Sequence, residues 1–187
     1  MAKMSDTFVY TTPLDLRAKP LIDELTYEYD SRYGSYFSEA GAAEEMNRYP
    51  AEAFAPPHGN FLLLQRNGET IGGGAFKYYD ERTVEFKRIW TRSDLRRQGL
   101  AVKVLLELEV QAARQGFSRV YLTTGFRQPE AVGLYLKYGY TALFDVDADP
   151  EIYKSLPFEK EIGHLAVAGL PGAVAAEQPF PRAAGQR

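Results

Sequence analysis

The 187-residue chain contains no cysteine. That excludes a disulfide framework, a thiolate nucleophile and every cysteine-ligated zinc or iron–sulfur centre. Histidine is nearly as scarce. His58 sits in a Pro-Pro-His-Gly loop and His164 near the C-terminus, which leaves little for a histidine-based metal site or a serine–histidine–aspartate relay. A dominant charge is missing too: 22 Lys and Arg stand against 25 Asp and Glu, a net charge of −3, so there is no electrostatic case for nucleic acid on one broad basic face. No stretch approaches the roughly 18 continuous apolar residues of a spanning helix, and the first residues carry no apolar leader core. The expectation is a cytoplasmic protein with no metal, membrane or nucleic-acid partner. What is present is a globular composition, 45% hydrophobic and 13% aromatic, enough for one domain with a sizeable core.

After Ile162 the composition turns to Ala, Gly and Pro with little aromatic content. Residues 1–162 are therefore expected to form the domain and 163–187 a flexible tail. Residues 8–12 read as a strand, and residues 20–33 as an amphipathic helix, with Leu21, Leu25, Tyr29 and Tyr33 four apart ahead of Gly34. Residues 38–48 predict a second short helix, with Ser38 as N-cap, before a loop broken by Pro50, Pro56 and Pro57. Two β-rich runs, 61–65 and 70–79, flank Asn67-Gly68 and predict a hairpin. The run 83–91 adds a third strand, on which simple alternation places Glu85, Lys87, Ile89 and Thr91 on one face and Val84, Phe86, Arg88 and Trp90 on the other. Gly72-Gly73-Gly74 leads into more strand, not into a helix, and reads as a bulged strand interior. Beyond it the pattern alternates: helix 100–115, strand 119–124, helix 129–138, then strands 140–144 and 157–162. The sum is an α/β (α+β) fold, a mixed sheet carrying helices.

The segment Arg96-Arg97-Gln98-Gly99-Leu100-Ala101 lies between a strand and a helix whose Ala101, Val104, Leu105 and Leu108 form an apolar stripe. No Ser, Thr, Asp or Asn stands at the N-cap, so the first helical N–H groups lack a side-chain acceptor. Gly99 permits close approach of backbone to an anion, the helix dipole favours negative charge, and Arg96 and Arg97 add to it. A diphosphate fits that description. A solvated surface turn is the alternative. The glycine spacing matches neither a nucleotide P-loop nor a dinucleotide fingerprint.

This run resembles the acyl-CoA pyrophosphate loop of the GCN5-related N-acetyltransferases, written Gln/Arg-x-x-Gly-x-Gly/Ala, with Ser93 where that family often has Pro. A second stretch, Gln128-Pro129-Glu130-Ala131-Val132-Gly133-Leu134-Tyr135-Leu136-Lys137-Tyr138-Gly139-Tyr140, resembles the family's Asn-x-x-Ala-x-x-Leu-Tyr-x-x-x-Gly-Phe, with Gln128 for the commoner Asn. The resemblance covers residues 8–162. It implies a largely antiparallel sheet of six to seven strands whose splayed central pair forms the acyl-CoA cleft. It also implies acetyl-CoA as co-substrate, a small-molecule or peptide amine as acceptor, direct attack in a ternary complex, and a possible homodimer. Ile89, Trp90 and Thr91 match the strand that pairs with the pantetheine arm; Arg96, Arg97, Gln98, Gly99, Leu100 and Ala101 match the pyrophosphate loop; Gln128 matches the side chain that meets the arm.

Tyr135 matches the family's general acid, and a phenol with a reference pKa of about 10 has a proton to give at neutral pH. Ala131, Leu134, Tyr135 and Tyr138 also make a plain helical core stripe. Glu85, on the strand that approaches the cleft, is the candidate base; a polar pair with Lys87 on the sheet face is its other reading. Residues 15–60 hold nine acidic residues against four basic ones, with Tyr27, Tyr33, Tyr36 and Phe37 among them, which suggests a cationic acceptor or simply solvated helix faces around an aromatic seam. Three rival readings stay open: a non-catalytic acyl-CoA-binding module, transfer of a longer acyl group or to oxygen, and a local nucleic-acid site at Arg92, Arg96, Arg97, Lys103, Arg114 and Arg119.

Overall fold

The computed structural model describes residues 5–34, 36, 41 and 46–167. Among them seven strands form one sheet in the order β1-β2-β3-β4-β5-β7-β6. These are β1 (Asp6–Tyr10), β2 (Asn60–Arg66), β3 (Glu69–Asp80), β4 (Thr83–Thr91), β5 (Arg119–Gly125), β6 (Thr141–Ala142) and β7 (Ser155–Glu161). Helices α1 (Lys19–Tyr33), α2 (Leu100–Arg114), α3 (Pro129–Lys137) and α4 (Gly163–Val167) accompany them. Every pairing is antiparallel except β4 with β5, which run parallel because α2 carries the chain back between them. The mixed, largely antiparallel sheet of the sequence reading is therefore the observed one.

Local chemistry accounts for most boundaries. Asn67 (φ 52°) and Gly68 (φ 79°) both take the left-handed conformation that a two-residue hairpin between β2 and β3 demands. Along β2 the side chains divide by the period of two: Leu62 and Leu64 join one core with Phe76, Val84 and Phe86 and with Leu100, Val104, Leu105 and Leu108 of α2. Phe61 and Leu63 join the other, with Ala18, Leu21, Phe54, Ala75 and Trp90, beside α1. The glycine run in β3 sits where these two layers press closest. A Cβ at Gly73 would come within 2.6 Å of Leu21 Cδ1 and one at Gly74 within 2.9 Å of Leu108 Cδ1, so the missing side chains let α1 and α2 bear on opposite faces.

Three expectations shift. The first strand begins at Asp6 rather than residue 8. The strand expected over 140–144 shortens to Thr141–Ala142: Tyr140 turns inward to donate to buried Glu109 (2.9 Å), and Pro157 on the partner strand has no N–H to extend the ladder. At the C-terminal end, Gly163–Val167 is helical and Leu165 packs on the larger core, so folded structure runs past residue 162. The helix expected over 38–48 lies outside the described residues apart from Gly41 and residues 46–48, as does the tail beyond Val167.

Strand β4 changes character midway. From Thr83 to Phe86 it is paired on both sides, to β3 and, in parallel, to Arg119–Leu122 of β5. Beyond Phe86 the pairing with β5 stops, while β3 continues to hold β4 as far as Thr91 and β7 holds β5 as far as Gly125. The two central strands thus splay. At the same place the β3 register jumps from Ala75↔Lys87 to Gly73↔Trp90, three residues against two, a bulge centred on Arg88 with φ 58°.

Candidate active site

The splay opens into a cavity of about 490 Å³ between β4, the end of β5, α1 and α3. Its walls combine Glu85, Lys87, Arg88 and Ile89 of β4 with Thr124, Gln128 and Tyr135 on the β5–α3 side. From α1 come Leu25, Glu28, Tyr29, Arg32 and Tyr33, and Met46, Arg48 and Tyr49 close a further side. Tyr135 and Glu85, the two residues expected to move protons, thus line one space.

Tyr135 is 7% exposed, its ring wedged at 5.4 Å from Phe158 and 5.5 Å from Tyr140. Burial alone raises its pKa far above the ordinary phenol value, so the group stays protonated throughout the neutral range. Glu85 faces Lys77 on the adjacent strand, Oε1 to Nζ 3.7 Å. That corrects the alternative pairing with Lys87, whose ammonium instead stands 5.0 Å over the Tyr49 ring. Lys77 lies 4.9 Å over the same ring.

The bulge also corrects the simple alternation of β4. Ile89 packs with the α2 core, beside Gly74 and Leu108, whereas Trp90 belongs to the α1 core. Arg88, expected opposite Lys87, lies on its side of the sheet: its guanidinium covers the Phe54 ring at 4.8 Å and donates to the Met46 carbonyl (2.8 Å). One extra residue has inverted the phase of everything after it. A left-handed non-glycine residue inside a strand is costly, and sequence alternation gives no warning of it.

The loop residues stand apart from this cavity. Gly99 caps α2 with φ 75°, no side chain caps the helix, and a Cβ at Gly99 would meet nothing within 4 Å. The open, uncapped helix start expected from the sequence is therefore present. Arg97 (φ 66°) and Gln98 are exposed, the latter accepting from Arg66 (3.3 Å), while Arg96 pairs with Glu28 of α1. Leu100 is buried in the core and Ala101 half-buried behind it. Trp90 and Thr91 do not line the cavity; Trp90 Nε1 and Thr91 Oγ1 are buried without a hydrogen-bond partner. Gln128 does line it, but its side-chain oxygen is engaged within the protein, accepting from Gly125 N (3.0 Å), Thr124 Oγ1 (3.1 Å) and Tyr33 Oη (3.3 Å). Its NH2 group is what remains to meet a substrate.

Comparison with known proteins settles the lineage. The sequence model of the acetyltransferase (GNAT) family matches residues 22–140. The chain belongs to that family. Its enzyme class is accordingly acyl-CoA-dependent N-acetyltransferase. It is 25% identical over 131 residues to YjgM of Escherichia coli K12, an uncharacterized N-acetyltransferase, covering 68% of this chain and 78% of that one. Solved structures share the fold, two of them with coenzyme A or acetyl-CoA bound. PaiA N-acetyltransferase from Thermoplasma acidophilum, in complex with coenzyme A, has TM-score 0.62 at 20% identity over 84% of this chain and 99% of that one. A GNAT family acetyltransferase from Elizabethkingia anophelis, with acetyl-CoA bound, has TM-score 0.58 at 18% identity over 85% and 99%.

The sequence reading missed much of this GNAT cavity. Arg48, Tyr49 and Lys154 line it without belonging to any motif. Of the expected aromatic surface, Tyr33 lines the cavity, whereas Tyr27 is 72% exposed, Tyr36 is exposed, and Phe37 lies outside the described residues. The described acidic residues of the 15–60 surplus do not gather there either. Among the described residues only Glu28 of that surplus reaches the lining, and it is paired with Arg96; Asp15 caps a 3-10 turn, Asp23 pairs with Lys19, and Glu24 accepts from Ser93 N (2.7 Å). No helix among the described residues is long and apolar enough to cross a membrane.

Proposed function

We propose that the protein transfers the acetyl group of acetyl-CoA to a primary amine by direct attack within a ternary complex. The observation that carries this reading is the opening of β4 from β5 immediately after Phe86, with Tyr135 and Glu85 on the walls of the space so formed. Bound coenzyme A in the T. acidophilum relative and acetyl-CoA in the E. anophelis relative support the donor. In this chain the diphosphate would rest on the uncapped start of α2, with Gly99 giving room and Arg96 and Arg97 giving charge. Ile89, Trp90 and Thr91, with no neighbour on their β5 side, would offer backbone groups to the pantetheine arm, alongside Gln128.

In the reaction the amine nitrogen bonds to the thioester carbon, the carbonyl electrons move to oxygen, and their return breaks the carbon–sulfur bond. The departing sulfur takes the proton of Tyr135 Oη; the proton lost by the amine goes to Glu85, directly or through water; and a backbone N–H of the splayed segment near Ile89 steadies the oxyanion. With no cysteine to hold the acyl group, no covalent acyl-enzyme is invoked. Acetyl-CoA titration by calorimetry, followed by thiol release over a panel of amines, tests the reading. Amine-dependent release establishes it, binding without release over a broad panel favours an acyl-CoA-binding module, and absence of binding refutes the site.

A further inference from the structure

We infer that Tyr140 is a positioning residue for Tyr135, held by an anchor of Glu109 and Lys160 so that the phenol proposed to protonate the leaving sulfur keeps its place. This role rests on the acetyltransferase reading and on Tyr135 as the proton donor. Helix α3 stops in a way that joins the two tyrosines. Gly139 (φ 88°) takes the left-handed conformation after the helix, Tyr140 N donates back to the Tyr135 carbonyl (3.0 Å), and Gly139 N donates more loosely to that of Leu136 (3.4 Å). In such a helix stop the residue after the glycine commonly packs on the last turn of the helix. Here the rings of Tyr140 and Tyr135 meet edge to face at 5.5 Å, and Phe158 of β7 adds a second ring contact at 5.4 Å. Among the described residues no hydrogen bond reaches Tyr135 Oη, and burial alone sets its acidity. The aim of the phenol therefore depends on the side chains that pack against its ring.

A helix stop of this kind needs only an apolar residue where Tyr140 stands, and the hydroxyl carries a further arrangement. Glu109, 3% exposed, interrupts the buried apolar stripe of α2 between Leu108 and Ala112, where a carboxylate is tolerated only if its oxygens are satisfied. One oxygen accepts from Tyr140 Oη (2.9 Å) and the other from Lys160 Nζ of β7 (2.8 Å). The same ammonium lies 5.3 Å from the centre of the Tyr140 ring. The corners of this cluster come from α2, from the stop after α3 and from β7, so it ties three elements together. Apolar side chains would fill the same space without burying an ion pair, and exchanges of that sort are often neutral or stabilising. What the polar cluster adds is position. Tyr140 is held at its backbone N–H by Tyr135 and at its hydroxyl by Glu109, which fixes both ends of the residue whose ring backs Tyr135. Misplacing a catalytic group by about 1 Å lowers a rate by up to about a hundredfold, so a fixed backing ring bears directly on turnover.

The test uses the full-length protein, with acetyl-CoA as donor and phenethylamine, spermidine, lysine and trialanine as acceptor probes. Amine-dependent thiol release by the wild type is measured first; release with none of the probes would strike the acetyltransferase reading, and the inference with it. Tyr135→Phe comes next, and an unchanged kcat there would strike the acid and, with it, the role of Tyr140. With both in place, Tyr140→Phe, which keeps the ring contact and removes the anchor, should lower kcat about tenfold while the acetyl-CoA KM stays within about twofold. Glu109→Leu should do the same, whereas Glu109→Gln, which retains an oxygen for Tyr140 Oη, should keep kcat within about threefold of wild type. The decisive comparison places Tyr140→Phe in the Tyr135→Phe background. There its effect on kcat should shrink to under about twofold while its shift of the denaturant midpoint persists, because the fold still feels the lost hydrogen bond and the proton donor is already gone. An unchanged kcat in Tyr140→Phe, or the same fold loss of kcat in both backgrounds, would overturn the inference, assign the cluster to stability alone and leave the acetyltransferase reading standing. Where Glu109→Leu does not fold, Tyr140→Phe and Glu109→Gln carry the test, since each changes one polar group at nearly constant shape.

Discussion

The two halves of β4 are neighbours in one strand and differ in almost everything that matters. Thr83–Phe86 is flanked on both sides, and Val84 and Phe86 are sealed in the core. Lys87–Thr91 has lost its β5 neighbour, contains the Arg88 bulge, and keeps charged side chains half-buried against a cavity. Stability resides where both flanks are satisfied; chemistry becomes available where one flank is withdrawn. The difference teaches that this site is made by interrupting a sheet at one point, with the outer strands β3 and β7 holding the opened edges in place.

The sharpest way to break that comparison is to damage each half separately. Phe86, 3% exposed and stacked on Phe76 (6.0 Å), should cost about 3–5 kcal/mol when truncated to Ala, through lost burial and an unfilled cavity. Denaturant unfolding measures it. Lys87→Gln, one residue on and half-buried at the cavity wall, should change stability by under about 1 kcal/mol. Comparable stability losses at both positions would erase the distinction drawn between the halves.

Across the splay, Tyr135→Phe should lower kcat by about a hundredfold with little change in the acetyl-CoA KM, since it removes only a proton donor. Burial holds the Tyr135 proton beyond the ordinary phenol range, so the wild-type kcat should show no alkaline fall attributable to this group near pH 10. A kcat unchanged in the variant would remove Tyr135 as the acid and leave the core-stripe reading. At the start of α2, Gly99→Val should weaken acetyl-CoA binding about tenfold. Gly116→Val supplies the control, because Gly116 has the same open space and a φ of 95° but ends α2 rather than starting it. Equal strain with unequal affinity isolates the ligand effect from the backbone effect.

How much of this was legible in the sequence follows the same division. Wherever local rules govern, the reading held: the Asn67-Gly68 hairpin, helix α1 ending at Gly34, the uncapped helix at Gly99 and the strand–helix alternation from residue 100 onward. It failed where one extra residue overrides a period. Alternation assigned Arg88 and Ile89 to the wrong sides because a bulge leaves no mark in composition when the residue that bears it is an arginine. The cavity was illegible for another reason: Arg48, Tyr49 and Lys154 come from loops and strand edges far apart in the chain, and only the tertiary fold brings them together. The acidic surplus of residues 15–60 left a cationic acceptor and solvated helix faces as equal readings because a count of charges carries no directions; in the fold Asp15, Asp23 and Glu24 face partners away from the cavity and Glu28 reaches its lining.

The smallest expected effect lies at the far edge of the sheet, where β1 pairs with β2 over its whole length, away from the cavity. Asp6 at the start of β1 accepts from Arg66 Nε (2.7 Å) and Nη2 (2.9 Å) and, more loosely, from Lys103 Nζ of α2 (3.3 Å), which ties the edge strand both to β2 and to the helix above it. The Arg66 hydrogen bonds hold its carboxyl below the ordinary carboxylate value, against a smaller opposing effect of burial. A depressed folded-state pKa means that the unfolded chain binds the proton first as pH falls, so the stability from this pair is present above about pH 4 and lost as acidification carries the folded group through its own lower pKa. Asp6→Asn should therefore lower stability slightly at pH 7 and by progressively less toward pH 3, the two unfolding curves converging in acid. Acceptor preference and the acetyl-CoA KM should not move, because the edge shares no residue with the cavity. A variant that changed turnover while leaving that convergence intact would show that the paired edge and the opened centre are coupled through α2, and that the sheet does not confine its function to the place where it splits.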